Sequence, residues 1–257
     1  MSQENPTQST MLRSIAIAEQ VVQAERPVSS AYLAEVLGLP KASVHRICQQ
    51  LESEGLLQRE PDGKRFMGGK RLRALALATL SNSTLSAARH MVLESLSEEL
   101  EETCNLTALD GHEIVYLDRV ESNWPYRIHL PVGSHLPLHC TATGKLFLAY
   151  MKPAHRRRML KSLKLKAYTD CTITDVDTLE AELDSIVENG FGFDTGEYLE
   201  GMIAIAVPVI NLQGQTIMAL AIHAPSARKS LNELRQYLPV LRSAAAQMAE
   251  SEYGDDE

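Results

Sequence analysis

The sequence predicts an α+β protein in two parts: a small helical head, then an antiparallel sheet covered by helices. Three observations predict it. Apolar residues recur at helical spacing through the first fifty residues, and a short hairpin signal follows them. Beyond residue 104 strand-like runs appear instead: Asn105–Leu109, Ile114–Val120, Tyr126–Leu130, Met202–Ile210 and Thr216–His223, with amphipathic helices between them. Charge divides the chain in the same place. Residues 1–80 hold ten basic and eight acidic side chains (+2); of the chain's 25 basic and 33 acidic residues, 15 and 25 (−10) remain for the rest.

Residues 1–9 are polar and have nothing to bury, so they are expected to be disordered. They also lack the apolar core of a secretion signal. No apolar run approaches the ~18 residues of a membrane span. Cys48, Cys104, Cys140 and Cys171 are scattered without a C-x-x-C pair, which fits reduced thiols in a cytoplasmic protein.

The first helix spans Met11 to Ala24, with Leu12, Ile15, Ala16, Ile17, Val21 and Val22 as its apolar residues, and Arg26-Pro27 breaks it. Ser29 or Ser30 can cap the next helix. In SAYLAEVLGLPKASVHRICQQLESEGLLQREPDGKR, Ala34 is small where two helices must cross, and Gly38 leaves the first of them. Pro40 sits at a first helical position. Val44, Ile47, Cys48 and Leu51 then form one buried stripe. The opposite face carries Lys41, His45, Arg46 and Gln49, with Ser43 beside it. After Gly55, GLLQREPDGKRF reads as strand, Pro-Asp-Gly-Lys turn, strand. Two helices, a tight turn and a basic hairpin make a winged helix-turn-helix.

An Ala-x3-Gly spacing alone also occurs in helical hairpins that touch no nucleic acid. The hairpin and the charge tip the balance. Residues 40–75 carry eight basic and four acidic side chains, +4 inside a chain of net charge −8. That reversal suits a phosphate backbone, with Lys41, Ser43, His45, Arg46, Lys64 and Arg65 as the candidate DNA contacts.

The head is thus expected over residues 9–68, a Leu- and Ala-rich linker helix over 69–84, and the body over 85–250. Leu72, Leu75, Leu77 and Leu80 offer apolar surface for a partner chain. In the body, an amphipathic helix over Ala87–Glu102 presents Val92, Leu93, Leu96 and Leu100. Asp110-Gly111 turns the first hairpin. TGKLFLAYM, from Thr143, is a short apolar helix, and Pro153 starts another with the basic run His155–Arg158, a solvated face or partner contact. Thr174 with Asp177 opens a further helix that stops at Asn189-Gly190. Phe191–Asp194 is a short strand, and Ser230 with Glu233 caps a last helix running to about Met248.

With the pieces placed, the chain resembles the IclR family of bacterial transcriptional regulators. Four stretches carry the resemblance: LGLPKASVHRICQQLESEGLL, LPVGSHLPLHCTATGKLFLAYM, ENGFGFDTGEYLEGMIAIAVPVINLQGQ and IMALAIHAP. It implies a winged helix-turn-helix joined by a helix to a GAF-like effector domain. It also implies a homodimer or dimer of dimers on double-stranded operator DNA, a small organic-acid effector, and no resident cofactor or metal. On the matching positions the effector pocket takes in Ile128, Leu136, Ala142, Thr143, Gly144, Asp194, Ala204, Ala221 and His223. The backbone N–H groups at the helix start suit a carboxylate, and Asp194 matches an acid that orients a hydroxyl or water. Where members that bind very small 2-oxo acids have a cysteine and two serines, this chain has Ala204, Ala221 and His223. That argues against glyoxylate or pyruvate and for an acid with a larger or less polar body. His223 offers a charged or a tautomer-dependent donor, against the plainer reading of a core histidine satisfied by backbone.

A thiol-based redox sensor, or further off a GAF-fold redox enzyme, is the alternative. Cys140 adjoins the loop that opens the short apolar helix, but it has no resolving cysteine nearby in sequence, and His139 on an extended stretch points to the other face. His135 and His139 lack further ligands for a metal.

Overall fold

The computed structural model describes residues 9–24, 26–60, 63–82, 84–124 and 130–253. The chain divides into two compact units at Thr79/Leu80, inside the expected linker.

The first unit is three helices and a hairpin: α1 Thr10–Gln23, α2 Ser30–Val36, α3 Lys41–Ser53, β1 Leu57–Arg59 and β2 Phe66–Gly68. Serines start the first two helices. Ser9 Oγ accepts from Leu12 N at 3.3 Å and Ser29 Oγ from Tyr32 N at 3.2 Å, each satisfying one orphan donor. Gly38 leaves α2 at φ 62, where a Cβ would clash with its own backbone. Pro40 is the residue before α3, one position earlier than expected. The stripe Val44, Ile47, Cys48 and Leu51 is buried with Ile17, Val21, Leu33, Ala34, Leu57 and Phe66. The α1 stripe is narrower than the sequence suggests, since Leu12, Ile15 and Val22 are exposed. Arg59 pairs with Glu52 at 3.0 Å and lies over the Phe66 ring, so the strand pair is clamped to α3 by a residue counted above as part of the basic surface. Pro61 and Asp62, half of the expected hairpin turn, lie outside the described residues.

α4 (Lys70–Asn82) leads to α5 (Thr84–Leu100). β3 (Thr103–Asp110) and β4 (Glu113–Val120) form the expected hairpin, with Gly111 at φ 65 in its turn. Next come β5 (His135–Pro137), α6 (Ala142–Tyr150), α7 (Pro153–Ser162), α8 (Val176–Asn189) and β6 (Gly192–Asp194). β7 (Met202–Ile210), β8 (Thr216–Pro225), α9 (Leu231–Arg235) and α10 (Leu238–Tyr253) complete the unit. Its sheet is antiparallel throughout, in the order β5-β4-β3-β8-β7-β6. α5 and α10 cover one face and α6 the other. Small side chains let α6 lie close: Ala204, Ala206, Ala219 and Ala221 form its bed. At Gly192 a Cβ would sit 2.2 Å from the Ala142 carbonyl oxygen.

Several expectations shift. Residues 126–129 of the third strand, Ile128 among them, lie outside the described residues. The cap of α8 is Asp175, whose carboxylate accepts from Thr178 N at 2.8 Å, one residue past the expected Thr174. α8 ends as read, with Gly190 at φ 72. The Ser230/Glu233 capping box is present, but the last helix is broken between Arg235 and Leu238. The basic run on α7 is partly internal: Arg156 reaches Asp184 at 2.7 Å and Glu180 at 3.8 Å on α8.

Candidate functional site

In the first unit, α3 turns one face inward and offers the other to solvent. Lys41, His45 and Arg46 are exposed there, Ser43 is half-buried, and Lys64 and Arg65 are exposed on the hairpin. Arg59 and Arg71 are held by Glu52 and Glu54. By contrast, among the described residues no side-chain hydrogen bond or ion pair engages Lys41, His45, Arg46 or Arg65. An α-helix that keeps its cations unspent on one face, beside a basic hairpin, can enter a major groove and meet phosphates at its rim.

In the second unit a cavity of about 640 Å³, counting its open mouth, lies between α6 and the sheet. One wall is the start of α6. Thr141 Oγ1 accepts from Gly144 N at 3.2 Å and donates to the Pro137 carbonyl at 2.8 Å, so this residue fixes the entry of the helix. Gly144 therefore does not donate to the cavity, which corrects the sequence expectation, because its N–H is already given to Thr141 Oγ1. Nor can it grow: a Cβ there would lie 2.4 Å from Leu138 O. The N–H groups of Ala142 and Thr143 remain at the helix end, and both residues line the cavity with Thr141.

The floor is set by strand register. Asp194, Ala204, His223 and Thr103 stand opposite one another across four strands, and Gly192, Ala206, Ala221, Asn105 and Arg119 form the next row on that face. Asp194, His223 and Thr103 reach the cavity. Ala204 and Ala221 do not line it; they are fully buried under α6, where their methyls fill the bed of the helix. Leu136 lines the apolar wall with Ile114, Tyr116, Leu130, Leu199, Met202 and Pro225.

Residues missed by the sequence reading also line the cavity, notably Arg119, Glu102, Ser122 and Tyr198. Arg119 arrives through an irregularity. Register shifts between Leu106 and Thr107, where Asp118 and Tyr116 are the successive partners, so Leu117 is an extra residue on β4. The alternation flips there. Tyr116 and Arg119, three apart, come to one face, and the Arg119 guanidinium lies 5.5 Å from the Tyr116 ring centre.

The electrostatics follow from burial. His223 is pushed down to about 3 from 6.5, by desolvation and then by Arg119, so the ring is neutral at physiological pH. Of the two expectations for a donor, the charged one is not met; the ring is a neutral tautomer at the cavity. Asp194 is pushed up to about 6 by burial, although its Oδ1 accepts from Gly196 N at 3.0 Å and Glu197 N at 2.7 Å. Glu197 is raised to about 7, again mainly by burial, while the buried Lys145 ammonium on α6 pairs with both Glu197 and Glu182. Burial also drives the Cys140 thiol well above its ordinary value, with Asp194 and Glu197 adding to it, the reverse of what a thiol sensor needs. His135 and His139 engage different partners, Asp110 Oδ2 and the Lys166 carbonyl, each at 3.0 Å.

A winged helix-turn-helix head and a cavity in a separate unit are the layout of a ligand-responsive transcriptional regulator. Comparison with known proteins gives its family. Residues 77–250 match the model described as bacterial transcriptional regulator IclR C-terminal, and residues 5–65 match a model of the MarR family. The probable transcriptional regulator SauR of Cupriavidus necator is 42% identical over 96% of this chain and 98% of its own length. The crystal structure of the Thermotoga maritima IclR covers 94% of this chain and 97% of that one, at 26% identity and a TM-score of 0.63. The inducer-binding domain of an Acinetobacter PobR double mutant, solved with 3-hydroxybenzoic acid, covers 65% of this chain and 98% of that one, at 33% identity and a TM-score of 0.60. This chain belongs to the IclR family of transcriptional regulators. Among the described residues no helix is long and apolar enough to cross a membrane.

Proposed function

We propose that this regulator binds a pseudo-palindromic operator as a homodimer or dimer of dimers, and that a small organic acid in the cavity controls its occupancy. Lys41, Ser43, His45 and Arg46 on α3 read the major groove, while Lys64 and Arg65 hold the flanking phosphates. One recognition helix spans too few base pairs for useful selectivity, hence the paired sites. Residues 9–68 serve as the DNA-binding domain, 69–84 as the linker helix and 85–250 as the effector domain.

One observation carries the effector reading: a largely apolar cavity has a capped helix N-terminus at one wall and Arg119 on its floor. Apolar walls with a few convergent donors are the ordinary form of a small-molecule site, and both donor groups favour an anion. The carboxylate docks on the N–H groups of Ala142 and Thr143, with Asp194 and neutral His223 orienting the body of the ligand. PobR, whose inducer domain holds a hydroxybenzoic acid, supports this chemical class by likeness. Because Ala142 opens the helix that carries Lys145, ligand binding can bias α6 between two arrangements, provided it prefers one of them; about 1–3 kcal/mol of preference is typical. A thermal-shift panel of organic acids on the full chain, followed by gel shifts on its own promoter region with the acid that stabilises most, tests both halves. Stabilisation without any change in DNA binding would refute the control, and no stabilisation by any acid would refute the effector class.

A further inference from the structure

Asn105 is fully buried, and among the described residues neither its Nδ2 nor its Oδ1 has a hydrogen-bond partner. Buried side-chain amides are nearly always satisfied, so an amide open at both ends needs a reason. Its neighbours explain why the protein does not answer it. Across the sheet on β8 stands Ala221, a methyl. Two residues back on its own strand, Thr103 Oγ1 is already engaged with Ser122 N at 3.1 Å and Ser122 Oγ at 3.4 Å. Opposite on β4, Arg119 turns its guanidinium toward the Tyr116 ring and its Nε toward Glu121 Oε1 at 3.4 Å. Yet Thr103, Arg119 and His223, which surround Asn105 on its face of the sheet, all line the cavity.

From this arrangement we infer that Asn105 is a specificity residue of the effector site, reading a hydroxyl group on the acid. The inference rests on the reading of the cavity as the effector site. A hydroxyl answers the amide at either atom: it accepts from Nδ2 or donates to Oδ1. A carboxylate answers Nδ2 alone and is set against Oδ1; its place is at the start of α6. The effector is thus a hydroxy acid rather than a plain carboxylic acid, its anionic end at Ala142 and Thr143 and its hydroxyl entering between Thr103 and Arg119, the lining residues that flank the buried amide. A site built to bond a hydroxyl discriminates strongly against the analogue that lacks it, because the buried amide is then left unanswered.

The test uses the full-length chain and pairs of acids differing by one hydroxyl: 4-hydroxybenzoate with benzoate, 3-hydroxybutyrate with butyrate, and lactate with propionate. Calorimetry on the parent protein should show one hydroxy acid binding at least ~10-fold tighter than its partner. In Asn105→Leu, close in size and without polar atoms, that ratio should fall to near one. The ligand-free variant should melt about 2–4 °C higher, since an unanswered amide has been replaced by an apolar group. A structural role for Asn105 predicts the reverse, a lower midpoint. Asn105→Ala gives the same loss of ratio should the leucine variant not fold. A parent protein that binds both members of every pair equally, or a variant that keeps the ratio, overturns the assignment while the acid reading stands. Binding of no acid at all by the parent protein overturns both.

Discussion

The carboxyl group of Asp194 provides a quantitative test of the cavity's electrostatics. It is only 6% exposed, and burial lifts it from 3.8 to about 6. Between those values the folded chain holds a proton that the unfolded chain releases, so this group's contribution to stability falls as pH rises through the window and is constant above it. The shift of about two pKa units corresponds to roughly 3 kcal/mol at neutral pH. Asp194→Asn keeps an oxygen for the Gly196 and Glu197 N–H groups and removes the charge. The variant should match the parent at pH 4 and exceed it by about 1–3 kcal/mol at pH 7.5, the lower end allowing for a cavity that relaxes and admits water. Urea unfolding at a series of pH values measures this, followed by the fluorescence of the single tryptophan, Trp124, which lies in the same unit beneath the Arg228 guanidinium. His223 titrates in an overlapping window with opposite sign, since its lowered value favours the folded state as pH rises from about 3 to 6.5, but it is common to both proteins and cancels in the difference. A stability difference that does not change with pH, or a variant weaker than its parent at pH 7.5, would refute the argument. If the acid docks as proposed, the same proton should also affect ligand binding. Acid affinity of the parent should decline from pH 5.5 to 7.5 as a carboxylate forms in the cavity wall, by at most about ten-fold per pH unit, and the decline should vanish in the variant.

Three further outcomes are expected. Arg46→Ala should weaken specific operator binding by about 1–3 kcal/mol, whereas Lys64→Ala should act alike on all sequences and lower the salt slope by about one; gel shifts at several salt concentrations separate the two. Gly144→Ala places a Cβ 2.4 Å from Leu138 O and 2.5 Å from Thr141 Oγ1, so it should destabilise the effector domain by about 1–3 kcal/mol and abolish the acid-induced thermal shift, with DNA binding retained. His223→Ala should leave the pH profile of acid binding between pH 6 and 8 unchanged in calorimetry, because the ring is already neutral there.

Local rules made the head legible in the sequence. The α3 stripe, the Ser29 cap and Gly38 each follow from a neighbour no more than four residues away, and the structure places them as read; the Ser9 cap of α1 was not read. The cavity lining was legible only where it depends on the start of one helix or on strand parity: Ala142, Thr143, Asp194, Leu136 and His223 reach it. Its errors have physical causes. Ala204 and Ala221 share the correct face, but alternation along a strand fixes only the side a methyl takes, not whether a helix covers it. Gly144 was misread because a threonine three residues earlier claims its N–H. Arg119 was missed because the extra residue at Leu117 flips the parity of β4, and no local pattern announces a bulge. The neutrality of His223 is a property of its surroundings, which the residue type does not disclose.

The distribution of unanswered polar groups ties these points together. In the head, the buried cluster is apolar throughout, and the only buried side-chain atom without a partner among its described residues is Arg13 Nε. In the second unit such atoms are more numerous: Arg156 Nε and Arg228 Nε belong to residues that do not line the cavity, whereas Glu102 Oε1 is at it. Glu102 lines it with one oxygen bound by Arg228 and Oε1 unbound; Asn105 lies in the sheet between the lining residues Thr103 and Arg119; Glu197 Oε2 belongs to the loop that follows Asp194. Each opposes folding of the empty domain, because burial removes water without supplying a replacement. A bound ligand that answers even one of them gains what the empty protein forgoes, and it moves an equilibrium between arrangements only if it gains more in one than in the other. In the head, with Arg13 Nε as the one such atom among the described residues, a ligand would find little to answer.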